Sequence, residues 1–119
     1  MSVATSSSVL RTVRENLAKY PHCVLLTQVG DFYELYYEQA DTIGGDLLGL
    51  QVTDKRYSTS TVRFTGFPIR SLDRYLEILV VRHGLSVALC EQFATENRRS
   101  FFRKVTRVIT PGTLINETY

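Results

Sequence analysis

Two carboxylates and two aromatic rings stand in one row at Asp31-Phe32-Tyr33-Glu34, directly behind Gly30 and the apolar run Val24 to Val29. A strand that turns sharply through glycine presents the side chains after it on a rigid base. An unpaired carboxylate is costly to bury, so this row predicts a presented cluster rather than core packing. One chemistry open to it is hydrolysis: Asp31, Glu34, Asp54 and Lys55 could meet at a sheet edge as a metal-dependent nuclease site. Against that, Asp54 and Lys55 are adjacent, and neighbouring strand residues point to opposite faces unless a turn intervenes. Another reading leaves chemistry aside and makes the exposed rings a protein-interaction surface.

Other catalytic arrangements have little to build on. No G-x-x-x-x-G-K-[ST] phosphate loop occurs, and no Ser or Cys stands in a nucleophile elbow. His22 follows a proline and His83 sits at a predicted helix end, both as surface or terminal residues. Cys23 and Cys90 are 67 positions apart and fit no metal or redox spacing, so both are expected as buried free thiols.

The elements that must position the cluster follow from periodicity. Ser8 is expected to cap a helix over about residues 9–19, with Val13 and Leu17 on one face and Pro21 closing it. Residues 23–29 form a continuous apolar run of strand length, covered on both faces. Tyr36, Ala40, Ile43 and Leu47 recur at helical steps, predicting an amphipathic helix over about residues 33–48, which Gly44-Gly45 weakens by roughly 1 kcal/mol per glycine. Residues 50–53 and 61–67 read as a hairpin joined by the polar stretch 54–60. Leu72, Tyr75, Leu76, Leu79 and Val80 mark a second clear helix, with Gly84 past its end. Residues 85–93 and 103–110 are two more strands, and Pro111-Gly112-Thr113 ends the unit. The expected fold class is α/β of the mixed α+β kind: one domain at 9–119 with a mixed sheet of about five to six strands and about three helices, after a flexible lead-in at 1–8.

Composition bounds the partners. The 119 residues are 44% hydrophobic with a net charge of +2. No run approaches the roughly 18 apolar residues of a membrane span, so no membrane partner is expected. The charge is uneven: residues 1–50 balance to −3 and residues 51–119 to +5, with Arg98, Arg99, Arg103, Lys104 and Arg107 close together. That cluster is either a solvated face or a phosphate-facing patch.

Four blocks carry a family resemblance. Gly30-Asp31-Phe32-Tyr33-Glu34-Leu35 resembles the "GDFYEL" signature of the mismatch-recognition domain of MutS-family DNA repair proteins. Thr65-Gly66-Phe67-Pro68 is similar to the family's "AG-(I/V/F)-P" segment, Val87-Ala88-Leu89-Cys90-Glu91-Gln92 to its "VAICEQ" strand, and Arg103 to Leu114 to its "REVVRVVTPGTL" exit. The blocks are collinear and span roughly residues 10–117. The form of residues 26–40 looks closest to fungal mitochondrial MutS homologues, which implies a mitochondrial location, with nuclear or bacterial cytoplasmic ones as alternatives.

The resemblance implies a non-enzymatic DNA-binding module. Its partners are double-stranded DNA with mismatches or small loops, the remaining domains of a longer parent, and a MutS-type dimer. No cofactor belongs to this segment, while ATP and Mg are expected of the full-length parent, an ATPase. Phe32 takes the role of the phenylalanine that stacks on a mispaired base and Glu34 that of the glutamate that hydrogen-bonds to it. Tyr33 would pack under the wedge as support. An apolar wedge unstacks and kinks a base step, and a mispaired step resists less. Arg56, Arg63 and Arg70 are candidate DNA backbone contacts, Arg70 because a basic residue follows the proline, the others through charge and their place near a hairpin. The segment after Pro68 and the N-terminal helix depart from the family pattern.

Overall fold

Cys23–Val29 forms the central strand β1, and its apolar run is buried on both faces, as expected: Val24, Leu25, Leu26 and Thr27 are all at most 4% exposed. The structure, a computed structural model, describes residues 2–112 except residue 59, with side chains from residue 8 onward. The expected end of the unit at Thr113 lies outside the described residues.

Helix α1 runs Ser2–Lys19 and lays Val9, Leu10 and Val13 on the sheet. It begins earlier than expected, so Ser8 is an exposed interior residue of the helix rather than its cap. Strand β2 is Phe32–Tyr36, paired antiparallel with β1 so that Val29 faces Phe32 and Gly30-Asp31 form a two-residue turn. Gly30 has φ +62°, the left-handed conformation that such a turn asks of its first residue.

This corrects the helix expected over 33–48. Residues 33–36 are strand, and the helical part is confined to residues 38–45, most of it the π-helical stretch Ala40–Gly45. The helical spacing of Tyr36, Ala40 and Ile43 arose from a strand, a turn and a short helix all facing core. The paired glycines are explained by contact: a Cβ on Gly44 would lie 2.3 Å from Thr65 Cγ2, and one on Gly45 3.2 Å from Val52 Cγ2. Gln39 then stands in for a strand partner at the start of β1, which extends past its pairing with the next strand, accepting from Leu25 N–H at 2.9 Å and donating to the Cys23 carbonyl at 3.0 Å.

Strands β3 (Thr53–Tyr57) and β4 (Ser60–Pro68) form a hairpin as expected, but the first strand is displaced: residues 50–52 are not strand, and Asp54 to Tyr57 are strand rather than connection, which tightens the turn. A 3-10 turn at Ile69–Ser71 leads into α2 (Leu72–Leu76), which continues as a π-helical stretch, Glu77–Arg82. Strands β5 (Ser86–Ala94) and β6 (Phe101–Ile109) close the chain as a long hairpin. The sheet order is β3-β4-β2-β1-β5-β6; β1 and β5 are parallel and every other neighbour is antiparallel. The mixed six-stranded sheet is the fold class the sequence implied.

The sheet has a core on each face. Tyr33, Leu35, Phe67, Leu79, Val80 and Leu89 pack under α2 and its continuation. On the other face Leu25, Tyr36, Val62, Ala88 and Cys90 pack under α1. Cys90 is buried, Cys23 half-buried, and both thiols are free. His22 and His83 are exposed. No helix among the described residues is long and apolar enough to cross a membrane.

Candidate functional site

Strand alternation decides how the acid–aromatic row is presented. Residues of β2 point alternately to the two faces, so Phe32, Glu34 and Tyr36 share the α1 face while Tyr33 and Leu35 share the other. Phe32 is 47% exposed at the start of the strand. Tyr33 is buried in the opposite core, its ring 6.1 Å from that of Phe67. Tyr33 therefore backs the sheet behind the exposed ring and does not sit directly beneath it.

Glu34 departs from the expectation of a presented carboxylate: it is buried at 8% exposure. The cost is offset by a partner two residues on, since the Tyr36 hydroxyl donates to Glu34 Oε1. Burial first, and then the neighbouring Glu34 charge, push the Tyr36 phenol far above its ordinary range. Thr27 lies opposite Glu34 in register, and its buried hydroxyl has no hydrogen-bond partner among the described residues. Because Glu34 is in a strand, its position is not that of an acid at a helix N-terminus.

Phe32 and Glu34 both line a pocket of about 350 Å³, with Gln51, Thr53, Lys55, Phe64, Thr65 and Gly66. The Lys55 ammonium lies 4.9 Å from the Phe64 ring centroid and 5.7 Å from that of Tyr57. A carboxylate and an ammonium thus share an apolar basin whose rim is an exposed phenylalanine.

The turn that carries Phe32 is held by residues that sequence reasoning did not single out for it. Gly30 N–H donates to Gln92 Oε1 at 2.9 Å, and the Gln92 N–H donates to Gln28 Oε1 at 3.0 Å. Arg103 donates to the Gln28 carbonyl at 2.7 Å and to Gln92 Oε1 at 2.8 Å, and Gln28 Nε2 donates to the Gly30 carbonyl at 3.2 Å. From the other side, Ile69 N–H donates to the Asp31 carbonyl at 2.9 Å. Three chain segments therefore converge on a two-residue turn. The only sequence signals were two glutamines near strand ends and one arginine in a basic cluster.

Of the three arginines proposed from sequence, the fold brings one to this end. Arg70 is exposed directly after Ile69. Arg56 and Arg63 share the sheet face opposite Phe32, further down the β3–β4 hairpin. Arg63 pairs with Asp41 at 2.7 Å and Asp54 at 3.4 Å; its hydrogen bonds hold the Asp41 carboxyl below its usual range. The nuclease arrangement does not assemble, because Asp54 lies on the face opposite Glu34 and Lys55. No group of three His, Cys, Asp or Glu able to hold a metal ion occurs among the described residues.

A mixed sheet with a core on each face, presenting one aromatic ring from a braced turn above a carboxylate basin, defines a mixed α/β domain. The chain belongs to the MutS domain I family, whose pattern it matches over residues 8–118. It is also similar to proteins named DNA mismatch repair protein MutS. That of Parabacteroides distasonis is 36% identical over 120 residues, covering 98% of this chain and 14% of that protein. That of Acaryochloris marina is 41% identical over 103 residues, covering 83% and 11%. That of Prochlorococcus marinus is 39% identical over 113 residues, covering 92% and 12%. The chain thus spans between 11% and 14% of the length of these relatives.

Proposed function

We propose that this chain reads mispaired or unpaired bases in duplex DNA for a MutS-type repair protein. Phe32 enters between base steps and stacks on the displaced base, and Glu34 accepts a hydrogen bond from it. The observation that carries the reading is the half-exposed Phe32 ring on a turn braced by Gln28, Gln92 and Arg103. An exposed phenylalanine on a rigid mount is wasteful as packing and well suited to probing how easily a base step opens.

Ring–base stacking of about 1–3 kcal/mol suits a sensor that must scan and release. The Glu34 carboxylate adds discrimination of another kind. It repels phosphates and rewards only a partner that offers an N–H, so it penalises an ordinary duplex. Arg70 contacts the backbone beside the wedge, with Arg56 and Arg63 as more remote contacts.

The intact protein is proposed to be a longer MutS chain acting as a dimer. Its ATPase activity, with ATP and Mg, belongs to other domains of that longer chain. A mitochondrial location rests only on the likeness of residues 26–40 to fungal homologues. The relatives reported above are bacterial and favour the bacterial cytoplasm.

The test is binding of the intact polypeptide to matched and G·T-mismatched duplexes across a salt series, with Phe32→Ala alongside. Removing the ring should abolish mismatch preference, a loss of about 5- to 150-fold from the stacking range above, and leave salt-dependent background binding. Because Phe32 is at the surface, thermal stability should change by less than about 0.5 kcal/mol. A variant that discriminates as well as the wild type would make Phe32 structural and sink the proposal.

A further inference from the structure

The β5–β6 hairpin leaves the sheet at the same end as Phe32. Strand β1 stops at Val29, whose neighbour Gly30 reaches Gln92, but Phe93 and Ala94 pair only with Phe102 and Phe101 of β6. The hairpin therefore overhangs β1 by about 7 Å of paired strand before its loop begins.

The overhang is stiff. The Phe93 and Phe102 rings stack at 5.4 Å on the α2 face. In the loop, Thr95 N–H donates to the Ser100 carbonyl at 2.9 Å, Arg98 N–H to the Thr95 carbonyl at 2.9 Å, and Arg99 N–H to Asn97 Oδ1 at 3.0 Å. Arg98 has φ +60°, a conformation that glycine or asparagine adopts at lower cost.

Chemically this end is aromatic and basic. Residues 94–105 contain four cations and one acid, Glu96. Arg103 is committed to the Phe32 turn, whereas Arg98 and Arg99 are exposed and make no ion pair among the described residues. Phe101 is 56% exposed on the α1 face, the face that Phe32 occupies. From β2 to β6 is three strand steps, about 14 Å, or about four base pairs of duplex.

We propose that the β5–β6 hairpin is a second DNA-contacting arm, with Arg98 and Arg99 on backbone phosphates and Phe101 against the sugar edge, about four base pairs from the step that Phe32 enters. The placement relative to Phe32 rests on the mismatch-recognition reading; the phosphate contacts do not. Such an arm fixes the duplex on one side of the wedge, so that insertion bends a held segment instead of pushing the DNA away.

The test uses the intact polypeptide carrying Arg98→Gln with Arg99→Gln. On a matched duplex, the slope of log affinity against log salt should become shallower by roughly 1.8, two contacts at about 0.9 each, and Arg98→Lys with Arg99→Lys should restore it. On a G·T duplex, hydroxyl-radical protection about four base pairs to one side should vanish while protection at the mismatch persists. An unchanged slope overturns the proposal. So does an unchanged slope accompanied by lost thermal stability of the intact polypeptide, which would make the hairpin a contact between protein domains. Failure of the wedge reading is visible separately, as retained mismatch preference in Phe32→Ala, and leaves the matched-duplex slope interpretable.

Discussion

Gly66→Ala tests whether the floor of the pocket is set by backbone proximity. Gly66 has no positive φ, so conformational freedom does not require glycine there. Space does: an added Cβ would lie 2.8 Å from the Tyr33 carbonyl oxygen and 3.1 Å from Glu34 Cγ. Ordinary carbon–oxygen contacts begin near about 3.3 Å, so the overlap is about 0.5 Å against backbone. Both strands are flanked, β2 by β1 and β4 by β3, so neither moves freely. Overpacking of this kind costs about 1–3 kcal/mol, partly offset by about 0.4–1 kcal/mol from the stiffer unfolded chain. The expected net loss is about 1–2 kcal/mol, read as a fall of about 4–8 °C in the thermal midpoint of the 119-residue chain by circular dichroism. Gly112→Ala, with nothing within 4 Å and no positive φ, should be neutral or slightly stabilising. Gly30→Ala should lose about 1 kcal/mol through its φ of +62° alone, since the space beside it is open. In mismatch binding, the Gly66 variant should displace Glu34 and lower preference several-fold. A Gly66→Ala protein as stable and as discriminating as the wild type would refute the close-approach argument.

Gln92→Ala removes one acceptor shared by Gly30 N–H and Arg103, and should lower stability by about 1–2 kcal/mol. Its diagnostic effect is a several-fold weaker mismatch preference with unchanged matched-duplex affinity; wild-type preference would show that the brace does not position Phe32. Alkaline pH probes the α1 face, where burial raises the Cys90 thiol from 9.0 to about 11 and also holds the Tyr36 phenol protonated. Between pH 9 and 11 the unfolded chain loses the Cys90 proton that the folded chain keeps, so stability should fall as pH rises through that window. The slope from this thiol is at most about 1.4 kcal/mol per unit, measurable by urea unfolding against Cys90→Ala, which should remove this share and leave that of Tyr36, which sets in near the ordinary phenol range of about 10.

How much of this was legible in the sequence differs by element, for physical reasons. Strand β1 was legible because burial on both faces leaves a continuous apolar run. The helix after Leu72 was legible because one buried face imposes the helical period. Strand β2 was not, since it too is buried on both faces but spends one inward position on Glu34, made tolerable by the Tyr36 hydroxyl. A carboxylate with a local partner looks, in sequence, like a surface residue. The start of α1 was misplaced because serine favours caps over helix interiors, and Ser8 read as a boundary. At the candidate site, the motif singled out Phe32 and Glu34, which the fold brings to one pocket, while Gln28, Gln92 and Arg103 were not legible. Their hydrogen bonds to the turn and to each other span up to 75 positions, and no local pattern pairs them.

That division says something about how the proposed sensor works. Phe32 and Glu34 are two residues apart on one strand, so a single backbone segment sets the distance between the ring and the carboxylate. The strand fixes that separation from within, and the turn that aims the pair is fixed by Gln92 and Arg103 from β5 and β6. The same two strands continue outward into the hairpin that carries Arg98, Arg99 and Phe101. A load applied to that hairpin by a bound duplex would therefore reach the Phe32 turn through three hydrogen bonds: Gly30 N–H to Gln92 Oε1, Gln92 N–H to Gln28 Oε1, and Arg103 to the Gln28 carbonyl. On this geometry, the Arg98→Gln, Arg99→Gln pair and Gln92→Ala should not be additive in mismatch preference, whereas either should add to a distant core change such as Leu79→Ala in stability. Strict additivity of the hairpin and Gln92 changes in mismatch preference would mean that arm and wedge meet the DNA independently.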